Sequence, residues 1–233
     1  MTRDIPYYSE NDDLNVVRIF IIRHGQTDHN VKKILQGHRD TSLNVTGVDQ
    51  GHKLGKYLKN DRNIKFERVV SSDLIRCRQT TEAFLSEMDC DLSEKDVFFL
   101  GGLRERFMGP IEGMHITEAE KYADKHGKPS FRDFGEDADL FMNRLTGTIQ
   151  GCVETASDDG IRNMAMVSHG GSIRAIIRWL EYDAQNAQKI IVYNTSVTIV
   201  DYIKDKKQYI VRRVGNTQHL GDGEFIVSDL RLR

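Results

Sequence analysis

Two histidines in this sequence stand where an apolar stretch gives way to glycine. Ile19-Phe20-Ile21-Ile22 runs into Arg23-His24-Gly25-Gln26-Thr27, and much later Met164-Ala165-Met166-Val167 ends in Ser168-His169-Gly170-Gly171. Such runs read as buried strands that stop at one edge of an open α/β sheet, the edge where these folds bind ligands. Arg76 follows a third strand, in Val70-Ser71-Ser72-Asp73-Leu74-Ile75-Arg76. Two arginines and two imidazoles at one edge are costly to hold together without an anion between them. The chemistry that suits them is phosphoryl transfer. Arginine forks and N–H groups at a helix start match phosphoryl oxygens. An imidazole is nucleophilic when one nitrogen is neutral and the other N–H is held by a fixed acceptor, and a backbone carbonyl in the Gly25 turn can be that acceptor. Asn30, on the turn or helix after His24, adds a further donor. Glu105, in Leu103-Arg104-Glu105-Arg106 beyond a fourth strand end, offers one carboxyl able to act as acid toward a leaving group and then as base toward water.

The elements that must carry these residues follow from periodicity. Val16–Ile22, Phe66–Ser71, Val97–Leu100 and Met164–Val167 read as strands covered on both faces. A helix opens with Thr46 as its N-cap and carries Leu54, Tyr57 and Leu58 on one stripe. Further helices are expected over Leu74–Met88, over Asp137–Ala156 with Leu140, Phe141, Leu145 and Ile149 on one face, and over Ile173–Leu180. Ser196–Tyr202 and Gln208–Val214, joined through Lys204-Asp205-Lys206-Lys207, read as a hairpin. Alternation of strands and helices predicts an α/β protein with a mainly parallel central sheet between two helical layers. Residues 1–14 read as an N-terminal arm that docks through Tyr7 and Tyr8, residues 101–135 as a lid-like insertion and residues 215–233 as a C-terminal tail. With no repeat or linker, the expectation is a single domain over residues 1–233.

Bulk properties narrow the classes. The chain has 233 residues, 39% hydrophobic and 29% charged, with a net charge of −2, so nothing electrostatic favours nucleic acid or a membrane surface. Three cysteines with no CxxC pair argue for a reducing compartment, and no apolar run approaches a membrane span or signal peptide. The expected location is the cytoplasm, with the nucleus also open. No His/Cys zinc spacing is visible, and His29, His38, His52, His115, His126 and His219 read as surface or structural.

The four motifs, in this order, resemble the histidine phosphatase (phosphoglycerate mutase-like) superfamily over residues 16–214. Thr41-Ser42-Leu43-Asn44-Val45-Thr46-Gly47 also resembles the family's entry into its first helix. The whole chain is similar to broad-range fungal members of the phosphatase branch. The resemblance implies a three-layer phosphoglycerate mutase-like fold and a metal-independent phosphomonoesterase acting on small phosphate esters. His24 would become phosphohistidine, and Glu105 would be proton donor and acceptor. Arg23, Asn30, Arg76 and His169 would clamp the phosphoryl group, while Gln36, Gly37 and Gly170 would meet the rest of the substrate. It implies no cofactor, and leaves a homodimer open. The alternatives are a cofactor-dependent phosphoglycerate mutase and a non-catalytic scaffold. Against the mutase, Glu112 stands where mutases carry a neutral amide and would repel a bisphosphate. Loops 31–40 and 106–135 also lack a dense basic cluster. Against the scaffold, His24, Arg76, Glu105 and His169 are all present.

Overall fold

The computed structural model describes residues 6–182 and 190–221. Residues 1–5 of the expected arm and 222–233 of the expected tail lie outside the described residues. Six strands form one sheet: β1 (Val16–Arg23), β2 (Arg68–Ser72), β3 (Val97–Leu100), β4 (Asn163–Ser168), β5 (Val197–Ile203) and β6 (Gln208–Asn216), in the order β3-β2-β4-β1-β5-β6. The first four are mutually parallel, and β5 and β6 form the antiparallel hairpin at one edge. Among the described residues six α-helices accompany the sheet: α1 (Asp28–Val31), α2 (Val45–Asn60), α3 (Ile75–Leu85), α4 (Ile116–Lys125), α5 (Ala138–Asp158) and α6 (Gly170–Trp179).

Strand alternation sorts the core into two layers. Val17, Ile19 and Ile21 of β1 face α5 and α6, where Phe141, Leu145, Ile149 and Ile173 meet them. Phe20 and Ile22 face α2 and α3, against Leu54, Leu58 and Phe84. All eight residues of β1 are buried, which explains why its sequence shows a continuous apolar run rather than alternation. A third, smaller cluster of Leu35, Ile111, Ile116, Ala119, Ala123 and Phe131 gathers around α4 beyond the sheet edge. Tyr8 pins the arm, buried with its ring centroid 6.3 Å from Phe20 and 5.7 Å from Tyr57, whereas Tyr7 stays 46% exposed.

Helix α2 corrects one expectation. Its N-cap is Asn44, whose side-chain oxygen accepts from the Gly47 N–H at 2.9 Å, so Thr46 lies inside the first turn. Asparagine caps at least as well as threonine, and here it also lets the helix start press on the Gly25 turn. That contact is close: a Cβ on Gly25 would lie 2.5 Å from the Gly47 carbonyl oxygen, and one on Gly47 would lie 2.1 Å from that of Gln26. Both positions need glycine for space rather than for backbone freedom. No helix among the described residues is long and apolar enough to cross a membrane.

Candidate active site

Parallel pairing brings four strand ends to one edge. Arg23 is level with Ser168 across β1 and β4, and Ser72 with Leu100 across β2 and β3. The His24 N–H extends the ladder by donating to the Ser168 carbonyl at 3.0 Å. His24 and His169 therefore emerge side by side, with ring centroids 5.3 Å apart, 3% and 1% exposed. His24 Nδ1 lies 2.7 Å from the Gly25 carbonyl oxygen. A carbonyl only accepts, so Nδ1 carries the hydrogen and Nε2 presents its lone pair. Burial, followed by the charges of Arg76 and then Arg23, holds the His24 pKa well below its usual value. The free ring is therefore neutral at physiological pH.

The second imidazole has the opposite tautomer. Arg76 Nε donates to His169 Nδ1 at 3.2 Å, which leaves Nε2–H to donate to Ser72 Oγ at 2.9 Å. Burial, then Arg76, His24 and Arg23, depress its pKa well below the ordinary histidine range. Arg76 itself is only 1% exposed, and its other nitrogens are anchored to the carbonyls of Arg39 at 2.9 Å and Gly37 at 2.8 Å. Each of those terminal nitrogens carries a second hydrogen besides the one it gives to its carbonyl. Arg23 is fixed by the Val192 carbonyl at 2.5 Å. Two neutral imidazoles and two guanidiniums thus leave a net positive, largely dry site.

Asn30 is the third residue of α1, in a reciprocal cap with Thr27. Its side-chain oxygen accepts from Thr27 N at 3.1 Å and from Asn194 Nδ2 at 3.3 Å, which turns its amide nitrogen the other way. Glu105 Oε2 accepts from the Gly171 N–H at 2.7 Å, and Oε1 from the Arg106 N–H at 3.0 Å. The carboxylate therefore sits against the first turn of α6.

Arg23, His24, Asn30, Arg76, Glu105 and His169 line one cleft of about 980 Å³. Gln36, Gly37 and Gly170 line it too, with Gln36 Oε1 held by Thr27 and Thr41 hydroxyls and Gly37 at φ +51°. Among the described residues no three His, Cys, Asp or Glu side chains are grouped so as to hold a metal ion.

Glu112 lies behind the cleft wall, where its Oε1 accepts the backbone N–H of His38 at 2.7 Å and of Met108 at 2.9 Å and stitches two loops together, and its charge still acts on Arg76. The loops bring Lys33 and Arg132 to the cleft, and from outside them α6 brings Arg174 and Arg178. Those arginines are spaced four apart, a helical stripe that shows only once α6 is known to run along the cleft.

Other contributors escaped the sequence reading. His38, taken as surface or structural, bonds the Glu105 carbonyl through Nε2 at 2.8 Å. Asn194 holds the His24 carbonyl at 2.9 Å from the loop entering β5. Because β5 is antiparallel, its beginning lies at the same edge as the ends of the parallel strands. Thr195 beside it is fully buried at φ +55°, an uncommon conformation for a β-branched residue, and its N–H donates to the Arg23 carbonyl at 3.0 Å.

The chain resembles known proteins along most of its length. The profile of the histidine phosphatase superfamily (branch 1) matches residues 19–215. A broad-specificity phosphatase of Saccharomyces cerevisiae is 64% identical over 233 residues, covering all of both chains. Phosphoglycerate mutase-like protein 4 of Arabidopsis thaliana is 26% identical over 94% of each chain. The crystal structure of a phosphoglycerate mutase from Bacillus anthracis superimposes with a TM-score of 0.75 at 27% identity, over 88% of this chain and 96% of that one.

Proposed function

Because this chain belongs to the histidine phosphatase superfamily and is a phosphatase, we propose that it hydrolyses a broad range of small phosphate monoesters through a phosphohistidine on His24. The observation that carries this reading is the His24 ring, locked through Nδ1 to the Gly25 carbonyl with its Nε2 lone pair beside Arg23, Arg76 and His169.

The steps follow from that geometry. The ester phosphoryl enters between Arg23, Arg76 and Asn30, whose donors balance the charge on its equatorial oxygens, and against His169, which orients Arg76 through Nδ1. His24 Nε2 attacks phosphorus in line as the bond to the leaving oxygen breaks. Protonated Glu105 gives its proton to that oxygen, so an alcohol departs. Glu105, now a carboxylate, takes a proton from water, the hydroxide attacks the phosphohistidine, and His24 and inorganic phosphate are regenerated. Gln36, Gly37 and Gly170 flank the leaving group in this scheme. Beyond them Ile34, Met108 and Met142 present partly exposed apolar surface among charged side chains, and this supports tolerance of varied leaving groups. One catalytic unit over the whole chain suffices for the reaction, with no resident cofactor, and a water-filled cytoplasm suits it.

The test is hydrolysis of p-nitrophenyl phosphate with EDTA present by wild type and His24→Ala, with 3-phosphoglycerate and 2,3-bisphosphoglycerate in parallel. Turnover insensitive to EDTA, abolished by the substitution, and an acid-labile phosphoenzyme in wild type alone are expected. Interconversion of phosphoglycerates without release of phosphate would replace this reading with the mutase, and silence in both assays with a scaffold.

A further inference from the structure

We propose that Arg144 is a positioning residue for the proton donor, holding the backbone on which Glu105 is mounted. This rests on the reading of Glu105 given above. The segment leaving β3 makes a single 3₁₀ turn over Gly101–Leu103 and then runs without a strand partner. Its carbonyls must therefore find donors elsewhere. Ser168 Oγ serves Leu103 at 2.9 Å, Ser172 Oγ serves Arg104 at 3.2 Å and His38 serves Glu105.

Arg144, from α5, reaches four carbonyls of this segment at once. Nη1 donates to those of Gly101 at 3.4 Å, Gly102 at 2.9 Å and Arg104 at 3.3 Å, and Nη2 to that of Glu105 at 3.3 Å. The same guanidinium forks onto Glu136, with Nε to Oε1 at 2.8 Å and Nη2 to Oε2 at 2.7 Å. Glu136 closes the other side: Oε2 accepts the Phe107 N–H at 3.2 Å, and its own N–H donates to the Phe107 carbonyl at 2.8 Å. The Arg144–Glu136 pair thus grips the chain on both sides of Glu105. The pair is half-buried, with side chains 25% and 16% exposed, where a planar bidentate contact is worth more than a surface one.

Two observations separate this from a role in docking α5. The helix is already seated by Leu145, Ile149 and Val153, all 2% exposed or less. Its register against the 101–105 segment is fixed by contact of Gly102 with Thr148, where a Cβ would lie 1.9 Å from Oγ1. What Arg144 adds is orientation of the carbonyls next to the acid, and sub-ångström placement of a catalytic group governs rate steeply.

The consequence is a leaving-group signature. A poor leaving group needs the proton from Glu105, whereas p-nitrophenolate does not. The experiment measures kcat and KM for wild type, Arg144→Met and Glu105→Gln on p-nitrophenyl, phenyl and alkyl phosphates, with Tm as a folding control. For Arg144→Met, kcat/KM, which reports phosphoenzyme formation and not the shared hydrolysis step, should fall by about 10- to 100-fold for alkyl phosphate and by less than about 3-fold for p-nitrophenyl phosphate, in the direction of Glu105→Gln but smaller. If Glu105→Gln shows the steep dependence and Arg144→Met loses kcat/KM equally on all three, Arg144 is structural only and the proposal fails. If Glu105→Gln itself shows no steepening, the assignment of the acid fails and takes the proposal with it. Should Arg144→Met not fold, Arg144→Lys and Glu136→Gln replace it. Steepening in both, partial for the lysine, supports the proposal, and uniform loss in either overturns it.

Discussion

Replacing Gly171 by alanine puts a methyl group against the Glu105 carboxylate. The added Cβ would lie 2.4 Å from Oε1 and 2.8 Å from Oε2, while ordinary contact begins near 3.4 Å. The carboxylate must therefore back away by about 1 Å. In doing so it gives up the 2.7 Å bond from the residue 171 N–H, a charge-assisted contact worth about 1.5–3 kcal/mol. The helix itself gains, because alanine in place of an α-helical glycine contributes up to about 1 kcal/mol. These two effects oppose each other, so Tm should move by only a few degrees. Catalysis has no such compensation. A misplacement of about 1 Å costs on the order of 100-fold, about 2.7 kcal/mol of barrier, wherever proton donation limits the rate. Steady-state kinetics on an alkyl phosphate and on p-nitrophenyl phosphate, with a thermal melt of each protein, measure both halves. The expected result is a near-native melt, about a 100-fold fall in kcat/KM for the alkyl ester and a much smaller one for the aryl ester. Wild-type turnover of the alkyl ester would refute the placement of Glu105 as acid. An equal loss on both esters would trace the defect to the start of α6 instead.

Acid should destabilise the fold by an amount that His219 makes explicit. Burial, with the Lys53 charge second, pushes its pKa down to about 3, against about 6.5 in an unfolded chain. Above about pH 6.5 the ring is neutral in both states; below it the unfolded chain takes up a proton that the native state refuses. Stability is therefore lost as pH falls, by about 1.4 kcal/mol from this group between about pH 7.5 and 5.5, and His24 and His169 add to it with the same sign. Urea titrations of wild type and His219→Phe should show a shallower acid decline in the variant, and identical slopes would contradict the assignment. At the far end of the cleft, Arg178→Ala should lower kcat/KM for α,ω-alkanediol bisphosphates by about 2- to 5-fold while leaving monoalkyl phosphates unchanged, the modest size following from the exposure of the guanidinium. A loss shared by both substrate types would show that Arg178 does not face the leaving group.

The parts of this molecule that local pattern encodes could be read from the chain. Buried parallel strands write themselves as unbroken apolar runs, and a turn against a helix start demands glycine. Ile19–Ile22 before His24 and Met164–Val167 before His169 thus announce both their element and their edge. The Gly25 carbonyl as partner for His24 Nδ1 was legible for the same reason, since donor and acceptor are one residue apart. Contacts made across the fold were not. Asn194 reaches His24 only because β5 runs antiparallel, and a hairpin pattern does not disclose its orientation to the rest of the sheet. Glu112 read as a charge in the site because it stands where mutases carry a neutral amide; that two backbone N–H groups from other loops hold its carboxylate behind the wall shows only in the fold. Nothing local marks Arg144, since its five carbonyl and carboxylate partners lie eight to about forty residues away in sequence.

The cleft divides by stiffness, and that division bears on breadth of substrate. At the phosphoryl end every group is fixed by something other than the substrate: His24 by a carbonyl, His169 by Ser72 and Arg76, Arg76 by two more carbonyls. Preorganised donors of this kind stabilise developing charge without reorganising, and they act alike on every phosphate monoester. Beyond them Ile34, Met108 and Met142, backed by the buried Leu35 and Phe131, offer area rather than directed bonds. An apolar wall discriminates weakly, by about 1–3 kcal/mol per misplaced methylene, whereas a buried polar group left unpaired rejects a substrate far more strongly. The uncatalysed reaction is so slow that stabilisation confined to the phosphoryl end already yields a large acceleration. Selectivity would then come from the α6 stripe, where Arg178 lies one turn further along the helix than Arg174. Changing that stripe should reorder substrates without touching the chemistry, because no bond in the phosphoryl cluster runs through Arg178.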